Sequence, residues 1–317
     1  MFYFDRGLFL TRNRLAVDVR RRQRRGFISH AHADHVASHA TILCSLPTAE
    51  LVRERFGYGP VQAIPWGQTV TCDGVELQLF PAGHILGSAM LLANDDSESL
   101  LYTGDFQLEP SLTCEPVEVP QADILVMECT FGDPRYRFPS KRDVYEQLIA
   151  SVSDAISWGR TPVVHAYALG KSQEVARVLT NAGITVLEHS LIHALSQIYA
   201  KHGFPTGGAL LPEAGAPSGV CVIAPPRSQK AVAVKTSDLP FRIAVTGWAL
   251  DPNARVRLRV DRAFPLSDHA DFDELMRAVE VVGPRRVYTT HGPASFSDHL
   301  RRAGIDATPL EKTHTGR

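Results

Sequence analysis

Apolar and polar residues alternate in short runs over the first 133 residues of the chain, and turn residues separate the runs. The clearest run is Thr69–Phe80, TVTCDGVELQLF, where Asp73-Gly74 divides two alternating halves. That pattern predicts a hairpin closed by a type I′ turn. SAMLLA and SLLYTGDF flank Asn94–Ser97 and predict a second hairpin with a solvated acidic turn. ADILVMEC, Ala122–Cys129, reads as a buried strand. The texture changes after Phe131. GDPRYRFPSKRD is a polar linker, and a helical period follows over Val144–Trp158. Strand-like PVVHAYA, ITVLE, VCVIAP and FRIAVTGWA then interleave with helix-like KSQEVARVLTNAG and HSLIHALSQIYAKHG, which predicts βαβ units and a partly parallel sheet. Residues 204–219 read as a loop and LDPNARVRLRVD as a short polar stretch, before the final segments FPLSDHADFDELMRAVEVVG and RRVYTTHG.

Composition narrows the class. With 44% apolar and 21% charged residues in 317, wholesale disorder is excluded. No apolar run approaches the ~18–20 residues of a membrane span, so no membrane partner is expected. The N-terminal MFYFDRGLFL is broken by Asp5 and Arg6 and reads as mature protein. A net charge of −1 rules out a generally basic, nucleic-acid-coating protein but leaves room for basic residues gathered in one groove. The five cysteines are odd in number, scattered and without a C-x-x-C pair. Reduced thiols in a cytoplasmic protein are expected, and any metal must be held by histidine and carboxylate.

The segment Gly26–His39, GFISHAHADHVASH, carries that chemistry. A short strand runs into H-x-H-x-D-H at His30, His32, Asp34 and His35. His30 and His32, two apart on extended chain, share a side. Asp34 and His35 are expected at the start of a following helix, facing a second ion. Imidazole with carboxylate suits Zn, Mn or Fe. Three more donors fall at strand ends beside glycine: His84 after Gly83, Asp105 after Gly104, and His291 before Gly292. The spacing predicts two divalent metal ions. His30, His32, His84 and Asp105 would hold the first, and Asp34, His35, Asp105 and His291 the second, with Asp105 bridging. His189 and His193, four apart, lack the glutamate of a zincin pair and read as helix-surface residues.

The order H-x-H-x-D-H, G-H, G-D and late H-G resembles the metallo-β-lactamase superfamily. GHILGSAM, YTGDF, MECTFGD, LSDHADFDEL and YTTHG are similar to motifs of its β-CASP branch of nucleic-acid processing enzymes. VTGWA and DRAFPLSDHADF look most like bacterial exonucleases associated with DNA ligase and helicase operons. The resemblance implies an α/β fold: a four-layer αββα sandwich formed by residues 1–133 and 259–317, interrupted by an α/β cap at 134–258. It implies a bacterial cytoplasmic phosphodiesterase acting on DNA, with RNA as the alternative substrate and a DNA ligase and helicase as functional partners. Asp18 matches an early carboxylate that buttresses the site, and Glu128 and His269 match the acidic and histidine motifs. A small-molecule hydrolase would share H-x-H-x-D-H but leave the cap, Glu128 and His269 without a purpose.

Two metal ions 3.5–4 Å apart serve in-line phosphoryl displacement. The expected catalytic set is His269, Glu128, Asp34 and Asp105. His269 would protonate the leaving oxygen, and Glu128 would orient it through the other ring nitrogen. Lys171 and Ser172, where a strand meets a helix, read either as a phosphate cradle or as simple helix N-capping by Ser172. Arg135 and Arg137 in the linker are further phosphate candidates, with Tyr136 between them able to stack a base. The run Arg20–Arg25 reads either as a solvated face or as a tract along a nucleic-acid backbone.

Overall fold

The computed structural model describes residues 1–226 and 238–310, which divide into two units: Met1–Arg137 with the C-terminal segment from His269, and Phe138–Asp268. Unit 1 contains two sheets. The first runs in order β1 (Phe2–Phe4), β2 (Leu8–Leu10), β3 (Ala16–Val17), β4 (Arg25–Phe27), β5 (Thr41–Cys44) and β6 (Val61–Ala63). The second contains β7 (Thr69–Cys72), β8 (Val75–Pro81), β9 (Ala89–Asn94), β10 (Ser99–Tyr102), β11 (Ile124–Glu128), β18 (Arg286–Thr290) and β19 (Ala307–Pro309), in the order β19-β18-β11-β10-β9-β8-β7.

The β7–β8 hairpin turns at Asp73 and Gly74, both with positive φ as a type I′ turn requires. The central strands β10 and β11 of the second sheet are apolar on both faces because each face meets a different core. Leu100, Tyr102, Ile124 and Val126 point to a core shared with Leu8, Leu10, Val17, Phe27 and Leu43 of the first sheet. Their neighbours Leu101, Leu125 and Met127 enter a second core. Two helices close it, α6 (Phe272–Val282) through Leu275 and Val279 and α7 (Ser295–Arg302) through Phe296 and Leu300. A period of two thus sorts one unbroken apolar run between two cores. An Asp271/Glu274 capping box starts α6, and Gly283 in the left-handed region ends it. Helix α1 (Leu46–Phe56) packs beside β6.

Unit 2 is a fully parallel sheet of β12 (Thr161–His165), β13 (Val186–Glu188), β14 (Ala209–Leu210), β15 (Cys221–Ala224), β16 (Pro240–Val245) and β17 (Arg262–Phe264). Its helices include α2 (Lys141–Ser157), α3 (Lys171–Asn181) and α4 (Ser190–Lys201). The βαβ expectation and the mixed α/β class are met.

Four details differ from the sequence reading. Residues 33–35 form a turn, closed by His35 N–H donating to His32 O at 3.1 Å, the chain after His35 is irregular, and the next helix waits until Leu46. The loop 204–219 contributes the edge strand β14 through parallel pairing with β13. The polar stretch near 255 contains a short helix, α5 (Ala254–Leu258). Unit 2 also extends to Asp268 rather than 258, because β17 pairs with β16 and belongs to its sheet. No helix among the described residues is long and apolar enough to cross a membrane.

Candidate metal centre

Each donor of unit 1 sits just beyond a strand end, where the backbone leaves the ladder and side chains can converge. Beyond β4, Ser29 places its N–H and hydroxyl on the two oxygens of Asp18, at 2.8 and 2.5 Å. Asp18 Oδ2 also accepts from Tyr102 OH at 2.9 Å and from His35 Nδ1 at 2.7 Å. These bonds fix ring direction. With its proton on Nδ1, held by Asp18, His35 turns Nε2 toward Asp105 Oδ2, 3.4 Å away. His30 does the same one step earlier, with Nδ1 on Ser29 Oγ at 2.9 Å and Nε2 3.4 Å from Asp105 Oδ2. Gly104 permits this closeness, since a Cβ there would stand 2.7 Å from Cβ of Ser29.

His30 Nε2, His32 Nδ1, His84 Nε2 and Asp105 Oδ2 converge. The separations are 3.1 Å for His30–His32, 3.2 Å for His32–His84 and 3.9 Å for His84–Asp105. Four ligands at ~2.0–2.1 Å around a tetrahedral ion stand roughly 3.3 Å from one another, so the spacing fits a divalent metal such as zinc. Charge agrees with geometry. Among the described residues, every ion pair reaching Asp18 and Asp105 comes from a histidine. Burial and the neighbouring His35 hold His30 well below the usual imidazole range, which leaves its lone pair for a cation. Burial opposes charge on His35, yet the Asp105 and Asp18 carboxylates hold it well above that range. Burial works against the Asp105 carboxylate, but His35, His30 and His269 hold it well below its ordinary value.

His35, Asp105 and His291 form a second group with donor atoms mutually within 4.8 Å. His291 is exposed, follows β18 and has a φ of 52°. A Cβ at Gly292 would lie 1.9 Å from Cys129 O, so only glycine lets the backbone turn here. Asp34 is not gathered with them. Its side chain is 71% exposed, and its nearest carboxylate oxygen is 3.9 Å from His35 Nε2. Asp34 lies in the turn at residues 33–35 and not at a helix start.

Glu128 ends β11 fully buried. Its Oε1 accepts from Phe106 N–H at 3.1 Å and from His269 Nδ1 at 2.8 Å, while Thr130 caps Oε2. His269 therefore presents Nε2 toward the donors, its ring 4.6 Å from that of His84. Ser29, Tyr102 and Thr130 received no role from the sequence. Each lies one or two residues from a motif residue or closes a motif strand, and that adjacency was the available signal.

The phosphate candidates fare differently. Lys171 is buried and bound to Asp268 at 2.7 Å. The Ser172 hydroxyl donates back to Tyr167 O at 2.7 Å, and the amides of Ser172, Gln173 and Glu174 are already bonded to backbone carbonyls. The cradle is filled by the protein itself. Arg135 and Arg137 are exposed, but each meets a carboxylate, Asp133 at 3.3 Å and Asp273 at 2.8 Å. Tyr136 packs edge-on against Phe131, with ring centroids 5.0 Å apart.

Residues 253–314 match the Zn-dependent metallo-hydrolase RNA specificity domain. The chain is 41% identical over 310 residues to a probable DNA ligase of Opitutus terrae, an alignment covering 96% of this chain and 30% of that protein. It is 26% identical over 300 residues to the DNA cross-link repair protein SNM1 of Arabidopsis thaliana, covering 83% and 60%. With an RNase J-like protein of Methanocaldococcus jannaschii it shares 28% over 179 residues, covering 49% and 42%. The chain thus spans between about a third and three fifths of these relatives.

Proposed function

The chain belongs to the metallo-β-lactamase β-CASP nuclease family, and on that premise we propose that it is a two-metal phosphodiesterase that degrades DNA from a strand end, preferring single strands, in repair. The observation that carries this reading is the Glu128–His269 pair standing beside the histidine and carboxylate donors. A metal site alone would serve many hydrolases. A buried carboxylate steering a second, non-ligating imidazole into that site supplies a proton for an alkoxide leaving group, as phosphodiester cleavage requires.

His30, His32, His84 and Asp105 would hold one ion, and Asp105, His35 and His291 the other. Bound there, the metals supply Lewis-acid activation of water and of the phosphoryl oxygens. The protein does the rest. Asp18 and Ser29 hold the rings of His30 and His35 with their lone pairs inward, so little reorganisation is needed at reaction. Glu128 keeps the Nδ1 proton of His269 in place, and the protonated ring gives its Nε2 proton to the departing oxygen.

RNA is the second reading, favoured by the match of residues 253–314 to an RNA specificity domain and by the RNase J-like relative. The similarity to a probable DNA ligase supports an association with a DNA ligase, and the five unbridged cysteines support a cytoplasmic setting. End-labelled single-stranded DNA, duplex DNA and RNA, incubated side by side with Mn²⁺ and with Zn²⁺, test the proposal. Stepwise shortening of single-stranded DNA is expected; cleavage confined to RNA would overturn the choice of substrate.

A further inference from the structure

Seven arginines lie between residues 12 and 25, and the metal centre uses none of them. Three are matched by carboxylates: Arg12 by Asp96 at 3.0 Å, Arg21 by Asp5 at 3.0 Å, and Arg25 by Asp73. The other four, Arg14, Arg20, Arg22 and Arg24, are exposed and pair with no carboxylate among the described residues. On a chain with a net charge of −1, this is a concentrated local excess. Arg12, Arg14, Arg24 and Arg25 line one groove of about 510 Å³, together with Tyr3 and Phe9. The two aromatic rings stack at 5.2 Å, nearly parallel, and Arg21 sits over Phe9. Guanidinium groups beside an aromatic platform are what a sugar-phosphate strand with unpaired bases requires.

The groove is tied to the metal centre within unit 1. Asp18 lies between Arg14 and Arg20 in the chain, so one loop sends a carboxylate inward to Ser29 and His35 and guanidinium groups outward. Gln23 N–H donates to His39 Nδ1 at 3.1 Å, and Thr41 N–H donates to Arg24 O at 3.0 Å, bracing the arginine loop against the chain that follows the histidine motif. Arg25 opens β4 and His30 lies past its other end. Fully extended, at ~3.3 Å per residue, the chain between the two spans at most roughly 17 Å.

We propose that this groove is a second nucleic-acid subsite. It holds the phosphates of a single strand at a distance from the scissile bond, with a base resting on the Tyr3 ring. The inference rests on the nuclease reading above, and its test separates the two. Affinity for fluorescein-labelled oligo(dT) of 3 and 12 nucleotides is measured by anisotropy over a KCl series. The metal-loaded proteins all carry His269→Ala to stop cleavage, and Arg14→Gln/Arg24→Gln is compared with the matching double lysine variant.

Each lost phosphate contact lowers the salt slope for single strands by ~0.7, so the glutamine variant is expected to lose about 1.4 units of slope on the 12-mer. The trimer should bind all three proteins alike, and the lysine variant should keep the parental slope. An unchanged slope on the 12-mer, or an equal loss on both lengths, overturns the proposal. So does loss of binding to phosphatidylserine vesicles with oligonucleotide binding intact. Hydrolysis of bis(p-nitrophenyl) phosphate by the proteins with His269 retained reads the metal centre alone. Its absence would count against the nuclease reading, while the salt slope would still report on the groove.

Discussion

Two buried clusters of charge in this molecule look alike in the sequence and differ in what surrounds them. In unit 1, Asp18, Asp105 and Glu128 are paired only with histidines, serine, threonine, tyrosine and amides. In unit 2, the start of α3 buries Lys171 against Asp268, and Glu174 against Lys141 at 3.1 Å and Tyr145 at 2.7 Å. In the second cluster each carboxylate has a fixed ammonium partner. The first differs: its imidazoles can be neutral, and their lone pairs point at a common centre. Buried groups that satisfy one another make structure, whereas those that share an unmet need for a cation make a site.

Breaking the first cluster should abolish function with little effect on folding, and breaking the second should do the reverse. Asp105→Asn removes the carboxylate common to both donor groups. Metal analysis by mass spectrometry is expected to show loss of both ions, with nuclease turnover reduced by a factor on the order of 10³ or more. If one ion is retained in full, Asp105 does not bridge. His269→Ala leaves the donors intact, so metal content should match the parent while kcat falls by about 10²–10⁴; a collapse in metal content would make His269 a ligand. Asp18→Asn is expected to weaken metal affinity about 10–100-fold, as loss of a supporting carboxylate does, measurable by competition with a chelator.

Lys171→Met tests the other side. It leaves Asp268 buried without its ammonium, and urea denaturation should register a loss of about 3–5 kcal/mol, with metal stoichiometry unchanged. The smallest effect is assigned to Cys129, buried beside Glu128. Burial, reinforced by the Glu128 carboxylate, pushes its thiol up to about 12. It should stay unlabelled by iodoacetamide at pH 8 in the native protein, and Cys129→Ser should keep the full complement of metal.

Much of the first cluster could be read along the chain because its signal is local. His30, His84, Asp105 and His291 each stand at a strand end, and beside glycines such as Gly104 and Gly292 the backbone must pass close to a neighbour. The second cluster could not be read that way. Lys171 looked available for phosphate because its partner, Asp268, lies nearly a hundred residues away and becomes a neighbour only when the sheet forms. The same blindness to pairing hid β17 and β14, short strands without alternation that exist because β16 and β13 offer a free edge. Asp34 differs for a nearer reason. A turn at residues 33–35, closed by the His35–His32 backbone bond, stands where a helix start was expected, and the residue pattern does not separate the two.

The placement of His291 after the inserted unit has a consequence for the protein's birth. Asp105 leaves the ribosome early, but the donor that completes its second group is made only after all of unit 2. At ~5–20 residues per second, translation takes roughly 10–40 s to travel from one to the other. During that interval the nascent chain carries His30, His32, His84 and Asp105 but lacks both His269 and His291. Inserting a whole folding unit between the early and late donors means that the second donor group can be completed only after unit 2 has been made.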